Sequence, residues 1–307
     1  MKKKGIALVE RQYLFPFVLI TSLFFLWGFA HAILDVLNKH FQELLTITRT
    51  HSAMIQATMY MGYFIMAIPA GLFINRHGYR KGVVLGLLLY GIGSLLFIPG
   101  QYIASFNMFL FSLFVIGCGL TFLETAANPY VTELGARETA ASRLNFAQSF
   151  NGLGCIFAPI LTGLLLFSDE EKGTSGNVAL PYAVMGVIVL LAALAFMRVR
   201  LPEIPHEEEV DSEGHRVGLW AHKLFVFGLV ALFAYEVSEI SINSFFINYV
   251  TEVGWMNARD ASLVLSFGGL GLFMVGRFVG SWIMRRVRAE KMLFWCATGT
   301  VITTLLV

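Results

Sequence analysis

FNMFLFSLFVIGCGLTFLETAANPYVT, residues 106–132, decides how this chain is read. Residues 106–123 carry no charge, and a hydrocarbon core of about 30 Å needs about 20 apolar residues of helix to cross it. Strands of a membrane barrel would instead run about ten residues with alternating polarity. The segment therefore reads as a transmembrane helix, and Glu124 is a carboxyl group set inside it.

Working outward, segments of the same kind recur near 14–37, 52–75, 82–101, 142–167, 180–200, 220–250, 261–284 and 291–307. Composition agrees. Of 307 residues, 57% are hydrophobic and 14% charged, with a mean hydropathy of +0.70. A soluble domain is about 45–50% apolar and about 25% charged. The 28 Phe and 29 Gly suit membrane helices, where Gly lets backbones approach closely. A net charge of +2 implies neither nucleic acid nor an acidic partner. Cys118, Cys155 and Cys296 lie in apolar stretches and read as small packing residues rather than a disulfide framework. Lys2, Lys3 and Lys4, then an apolar run, then Ala30-His31-Ala32, have the outline of a secretory signal. Residues 14–37 are long enough to span, however, and are followed by further spans, so they read as the first transmembrane helix.

Basic residues set the orientation. With a cytoplasmic N-terminus, the inner connections hold 17 of the 22 Lys and Arg, and the outer ones only Lys39, Arg49, Lys172 and Arg259. That is the positive-inside bias. The longest hydrophilic stretch, 201–219, carries Pro202, Pro205 and the acidic run Glu207-Glu208-Glu209. It divides a six-helix bundle, 1–200, from a second set of spans, 220–307. A weak internal repeat lays Gly71-Leu72-Phe73-Ile74-Asn75-Arg76 on Gly280-Ser281-Trp282-Ile283-Met284-Arg285, and Asp35 on Ser244. Such a parallel repeat of two six-helix halves predicts about twelve spans, of which about nine are present, so the second bundle is expected to be incomplete.

Charges in the bilayer centre cost about 2.5–3.5 kcal/mol on insertion scales, so each needs a reason. Five stand out: Asp35, Glu124, Glu236, Glu239 and Arg277. Trp27, His31 and Asp35 are spaced i, i+4, i+8 and share one face of the first span. Asp35 is either an interfacial group reaching water or part of a cavity wall. Glu124 and Asn128 share a face of the fourth span, next to Pro129, which lacks a backbone donor. Asn145, Gln148 and Asn151 step by three along the fifth span, and their amides match the donors and acceptors of hydroxyl groups as well as those of neighbouring helices. Gln56, Tyr60 and Tyr63 form a stripe on the second span that fits a cavity wall or simple packing equally well. Glu236 and Glu239, close together in low dielectric, cannot both be charged without a cation, and Arg277 is one candidate partner. Between spans 2 and 3, Gly71, Arg76, Gly78, Arg80 and Lys81 form a basic loop, with Gly71 for close helix approach and Gly78 for a tight turn.

This loop resembles the signature between helices 2 and 3 of the major facilitator superfamily, with Asn75 where an Asp is usual. Three further segments resemble the fucose/galactose/glucose:proton symporter family: Leu23-Phe24-Phe25-Leu26-Trp27-Gly28 leading to Asp35, Leu123-Glu124-Thr125-Ala126-Ala127-Asn128-Pro129, and Arg143-Leu144-Asn145-Phe146-Ala147-Gln148-Ser149-Phe150-Asn151. The resemblance implies an all-α polytopic fold and proton-coupled uptake of a hexose, deoxyhexose or amino sugar by a monomer in a bacterial inner membrane. Asp35 and Glu124 match the family's proton-coupling acids. Trp27, Asn128, Asn145, Gln148, Asn151 and Glu239 become the expected sugar-facing residues. No cofactor or metal is implied. His31-Ala32 replaces an Asn pair of the fucose members, and Glu236 replaces an apolar residue.

Two rival readings accompany it: a facilitator that moves sugar without protons, and a truncated, non-transporting remnant whose second half lacks the spans to close a cavity. A membrane enzyme finds no support, since no metal cluster, nucleophile–base pair or phosphate loop is present in the sequence.

Overall fold

A computed structural model describes the backbone of residues 7–44, 49–103, 105–166, 179–199, 219–256, 260–261 and 264–306; side chains are described there except for 34–53, 159–166, 219 and several between 240 and 270. The described residues of the apolar segments are overwhelmingly helical, as lipid demands, because only a helix satisfies its own backbone donors and acceptors. After a short turn at Arg11–Tyr13 come α1 (Leu14–Leu44), α2 (Arg49–His77), α3 (Tyr79–Leu95), α4 (Phe97–Ile103) and α5 (Phe106–Glu133). Then follow α6 (Ala140–Leu166), α7 (Ala179–Arg198), α8 (Lys223–Glu252), a π-helical turn at Val264–Leu270, α9 (Gly271–Met284) and α10 (Ala289–Leu305). The expected third span is two helices. Pro99 has no N–H to bond the carbonyl four residues back, so the helix breaks at Leu96 and resumes with Gly100 N donating to Leu96 O at 3.2 Å.

The chain divides into two compact units, Met1–Ile204 with Phe273–Val307, and Pro205–Leu272. The linker expected at 201–219 lies, apart from Leu219, outside the described residues. In the first unit α1 packs on α6, α5 lies against both α2 and α3, and α3 packs on α7. Glycines bring these pairs to backbone contact. A Cβ on Gly86 of α3 would stand 2.8 Å from the Gly119 carbonyl oxygen of α5, and one on Gly119 would stand 2.6 Å from that of Gly86. Gly62 of α2 meets the Phe114 carbonyl of α5 in the same way, at 2.7 Å. Between α1 and α6, a Cβ on Gly28 would run into the Asn151 backbone and one on Gly154 into the Phe25 backbone. In lipid, where apolar surface has no water to escape, such close approach is what makes helices associate.

The outward faces have the complementary character. Phe64, Ile68 and Leu72, spaced by four on α2, are 84%, 74% and 66% exposed. A continuous exposed apolar row is suited to hydrocarbon, not water.

Two polar fixtures close the first unit. Arg143, at the start of α6, is buried and donates to the carbonyls of Val131 at 3.0 Å, Gly135 at 3.3 Å and Ala136 at 3.0 Å, and also to that of Thr132. It further bonds Thr139 Oγ1 at 2.6 Å and the Leu8 carbonyl at 3.3 Å. Val131 and Thr132 are among the last carbonyls of α5, which have no partner within the helix, and a cation there is favoured by the helix dipole. Next to it, Ser142 bonds Ser281 of α9, while Phe278 lies edge-on to Phe146 at 5.7 Å and to Phe150 at 6.1 Å. Both sides of this seam belong to the first unit.

Candidate functional site

The polar side chains expected on α1 meet those of α2. Trp27 and His31 are one turn apart on α1, and Tyr60 and Tyr63 one turn apart on α2. Trp27 Nε1 donates to Tyr63 Oη at 3.0 Å, and His31 Nε2 lies 3.0 Å from the same oxygen. The His31 ring sits 5.8 Å from the Tyr63 ring and 6.2 Å from that of Tyr60, with Trp27 edge-on at 5.9 Å. On α5, Glu124 is half-buried. Beneath this group Tyr90 of α3, fully buried, has its hydroxyl 3.3 Å from the Leu26 carbonyl and 2.9 Å from Met185 Sδ, joining α3 to α1 and α7.

One turn from Glu124, Asn128 Oδ1 accepts from Gln148 Nε2 at 3.3 Å, linking α5 to α6. Both amides are half-buried. Asn151 is half-buried as well, and its position is set by Gly28, against which its backbone lies. Asn145 differs from its two companions. Its Nδ2 donates to the Ala141 carbonyl of its own helix at 3.2 Å, one turn back.

Asp35 continues the backbone of α1, but its side chain lies outside the described residues. Glu239, half-buried on α8, belongs to the second unit, and Glu236 on the same helix is exposed. Arg277 lies over the Phe273 ring of its own helix, 4.3 Å from the centroid. In the loop between α2 and α3, Gly78 has φ 85°, a turn conformation that a side chain would strain, and its N–H bonds the Ile74 carbonyl at 2.8 Å. Arg80 caps the end of α7 through the Phe196 carbonyl at 3.2 Å and the Met197 carbonyl, while Arg76 and Lys81 are exposed. At Gly71 nothing among the described residues lies within 4 Å of where a Cβ would stand.

Tyr63 is the residue that sequence reasoning underweighted. In the chain it is one member of a stripe on α2. Its role as common partner of Trp27 and His31 spans 36 and 32 positions and crosses two helices, and no local pattern carries that.

The apolar helices, exposed apolar rows and glycine seams define a multi-pass α-helical membrane protein. A Major Facilitator Superfamily domain model matches residues 17–307, and the chain belongs to that superfamily. Its relatives are transporters. A glucose/galactose transporter of Brucella abortus is 34% identical over 299 residues, covering 95% of this chain and 72% of that protein. The L-fucose-proton symporter of Escherichia coli is 34% identical over 309 residues, covering 92% of this chain and 70% of that protein. A crystal structure of the transporter FucP in its outward conformation matches with a TM-score of 0.78 at 34% identity, covering 92% of this chain and 74% of the other. The resemblance drawn from the motifs of α1, α5 and α6 thus holds along almost the whole chain.

Proposed function

We propose that this protein carries a hexose or a closely related sugar across the membrane together with a proton, by alternating access. The observation that carries the reading is Glu124: a half-buried carboxyl in mid-span, one turn from a pair of amides joined across α5 and α6. A carboxylate in that position is costly when ionised and cheap when protonated. Proton uptake at Glu124, or at Asp35, removes the charge that opposes passage through an occluded state. Asn128, Gln148 and Asn151 supply donors and acceptors for sugar hydroxyls, and Trp27 offers a ring face for the apolar side of a pyranose. Relatives named as glucose/galactose and fucose transporters support the sugar class.

The proposal includes an inner-membrane location with the N-terminus in the cytoplasm. In its support, Arg143 bonds Leu8. Four crossings separate Leu8 from the α5–α6 junction, so the two lie on one side of the membrane, and that junction carries Arg137 and Arg143. It also includes residues 1–200 as an N-terminal bundle and 220–307 as part of a second one, with Glu239 contributing to the sugar site.

Reconstitution into proteoliposomes tests the reading. Each of a panel of labelled hexoses, deoxyhexoses and amino sugars is offered with and without an imposed pH gradient while external pH is recorded. Sugar-induced alkalinisation and gradient-driven accumulation of at least one sugar are expected. Equilibration without alkalinisation would identify an uncoupled facilitator, and no movement of any sugar would remove the carrier assignment.

A further inference from the structure

The Tyr63 hydroxyl on α2 is shared by two side chains of α1. Trp27 Nε1 and His31 Nε2 each lie 3.0 Å from Tyr63 Oη, and among the described residues they are its hydrogen-bond partners. An indole nitrogen only donates, so Trp27 takes a lone pair of the oxygen. The single hydrogen of the phenol then finds its acceptor in His31 Nε2. In the opposite case, with a hydrogen on Nε2, the oxygen faces two donors and its own hydrogen is left without an acceptor, which is the costly outcome. Within an apolar span the imidazole is most stable uncharged. A neutral ring that accepts at Nε2 carries its one hydrogen on Nδ1.

That Nδ1 hydrogen has no acceptor among the described residues. Trp27, His31 and Tyr63 are half-buried, and Tyr60, whose ring is 6.2 Å from that of His31, is 53% exposed. The imidazole thus stands at an accessible edge of the α1–α2 pair. Its ring is 5.9 Å from that of Trp27, the side chain proposed to face the sugar.

We infer that His31 is a specificity-determining residue of the sugar site, its Nδ1–H donating to one oxygen of the sugar. Tyr63 is a positioning residue, because its hydroxyl decides which ring nitrogen carries the hydrogen. A donor fixed in this way selects by chemistry. A hydroxyl oxygen accepts from it. A deoxy carbon leaves it unpaired, and an ammonium group at that carbon sets donor against donor. The substrate class narrows to sugars with a hydroxyl at the carbon His31 reads. A site built to hydrogen-bond a substrate group rejects analogues that lack it.

The inference rests on the proposed carrier function, and its test separates the two. Full-length protein and its His31→Gln, His31→Asn and Tyr63→Phe variants are reconstituted. Monodeoxy and amino analogues then compete against a labelled, transported sugar. Against the wild type, one monodeoxy analogue and the amino analogue at the same carbon should compete about tenfold less well than the parent sugar. A glutamine amide replaces Nε2 and an asparagine amide replaces Nδ1. His31→Gln should therefore weaken the parent about tenfold and leave that deoxy analogue unchanged, erasing the difference, while His31→Asn keeps part of it. Asp35, one turn further along α1, is the rival acceptor. Were Nδ1–H spent on it, His31→Gln would weaken parent and analogues alike. That result overturns the inference, as does an amino analogue that competes as well as the parent.

The ¹⁵N spectrum of histidine-labelled wild-type protein in detergent needs neither transport nor a variant that folds. The His31 ring should carry its hydrogen on Nδ1, and a hydrogen on Nε2 overturns the inference. In Tyr63→Phe this preference should be lost, and a preference that persists refutes the positioning role. If the wild type moves no sugar, the carrier reading fails and this inference falls with it. If sugar moves and the analogue pattern ignores His31, this inference alone falls.

Discussion

Ser142 of α6 and Ser281 of α9, 139 positions apart, hydrogen-bond each other reciprocally. Ser281 Oγ donates to the Ser142 carbonyl at 2.8 Å, Ser142 Oγ donates to the Ser281 carbonyl at 2.5 Å, and the two hydroxyl oxygens are 3.1 Å apart. Both residues are buried. Each side chain satisfies the other's backbone, so the helices meet with no polar group left over.

That seam predicts a reversible lock. In a background with Cys118, Cys155 and Cys296 replaced by alanine, Ser142→Cys with Ser281→Cys should cross-link under mild oxidation, since the paired side-chain atoms already lie close. If α6 and α9 part during the cycle, cross-linking stops uptake and a thiol reductant restores it. Undiminished uptake in the fully cross-linked protein would mean that the seam stays shut throughout.

Glu124→Gln keeps the shape and removes the charge. Uphill, gradient-driven uptake is expected to fall by at least about tenfold, while exchange of labelled for unlabelled sugar persists, because exchange needs no net proton movement. Uptake and exchange are measured in the same liposomes. Equal loss of binding, exchange and uptake would assign Glu124 a structural role.

Two glycines should respond in opposite directions. Gly28→Ala puts a methyl group into the Asn151 backbone, and overpacking of this kind costs about 1–3 kcal/mol. Gly71→Ala meets nothing within 4 Å and lies inside α2, where alanine is favoured over glycine by about 0.5–1 kcal/mol. Thermal unfolding of both variants in detergent gives the signs.

Arg143→Lys should destabilise despite keeping the charge. An ammonium group has three hydrogens where the guanidinium has five in a fixed fork. At least one of the six oxygens now served would lose its donor, and each such loss costs about 1–3 kcal/mol. Arg198→Lys, at an exposed site, serves as the control and should leave the unfolding midpoint unchanged.

The helical crossings were legible because lipid imposes one rule on all of them, a run of apolar residues long enough to cross. Interruptions within a crossing were not: 82–101 reads as one segment, and the break at Leu96 depends on which carbonyl Pro99 leaves unbonded. The site was legible as residue types and only partly as geometry. Asn145, Gln148 and Asn151 look equivalent at steps of three, yet only Gln148 reaches across to Asn128, while Asn145 folds back onto Ala141. Periodicity gives a face, and the neighbour decides what that face touches. Arg143 shows the same limit. Counted by side, it is one more cytoplasmic cation, and nothing nearby in sequence announces that it is buried with the carbonyls of α5 around it.

The placement of that guanidinium bears on how the chain is made. Val131 and Thr132 end α5 with carbonyls whose partner is encoded eleven to twelve residues later, and Leu8 waits 135 residues for the same side chain. During synthesis α5 must therefore enter the bilayer with its terminus still hydrated, and the leading segment must stay at the membrane surface through four insertions. Only when the start of α6 leaves the ribosome can this knot of oxygens be drawn together, so the N-terminal segment and the end of α5 are tied after four spans have already entered the membrane.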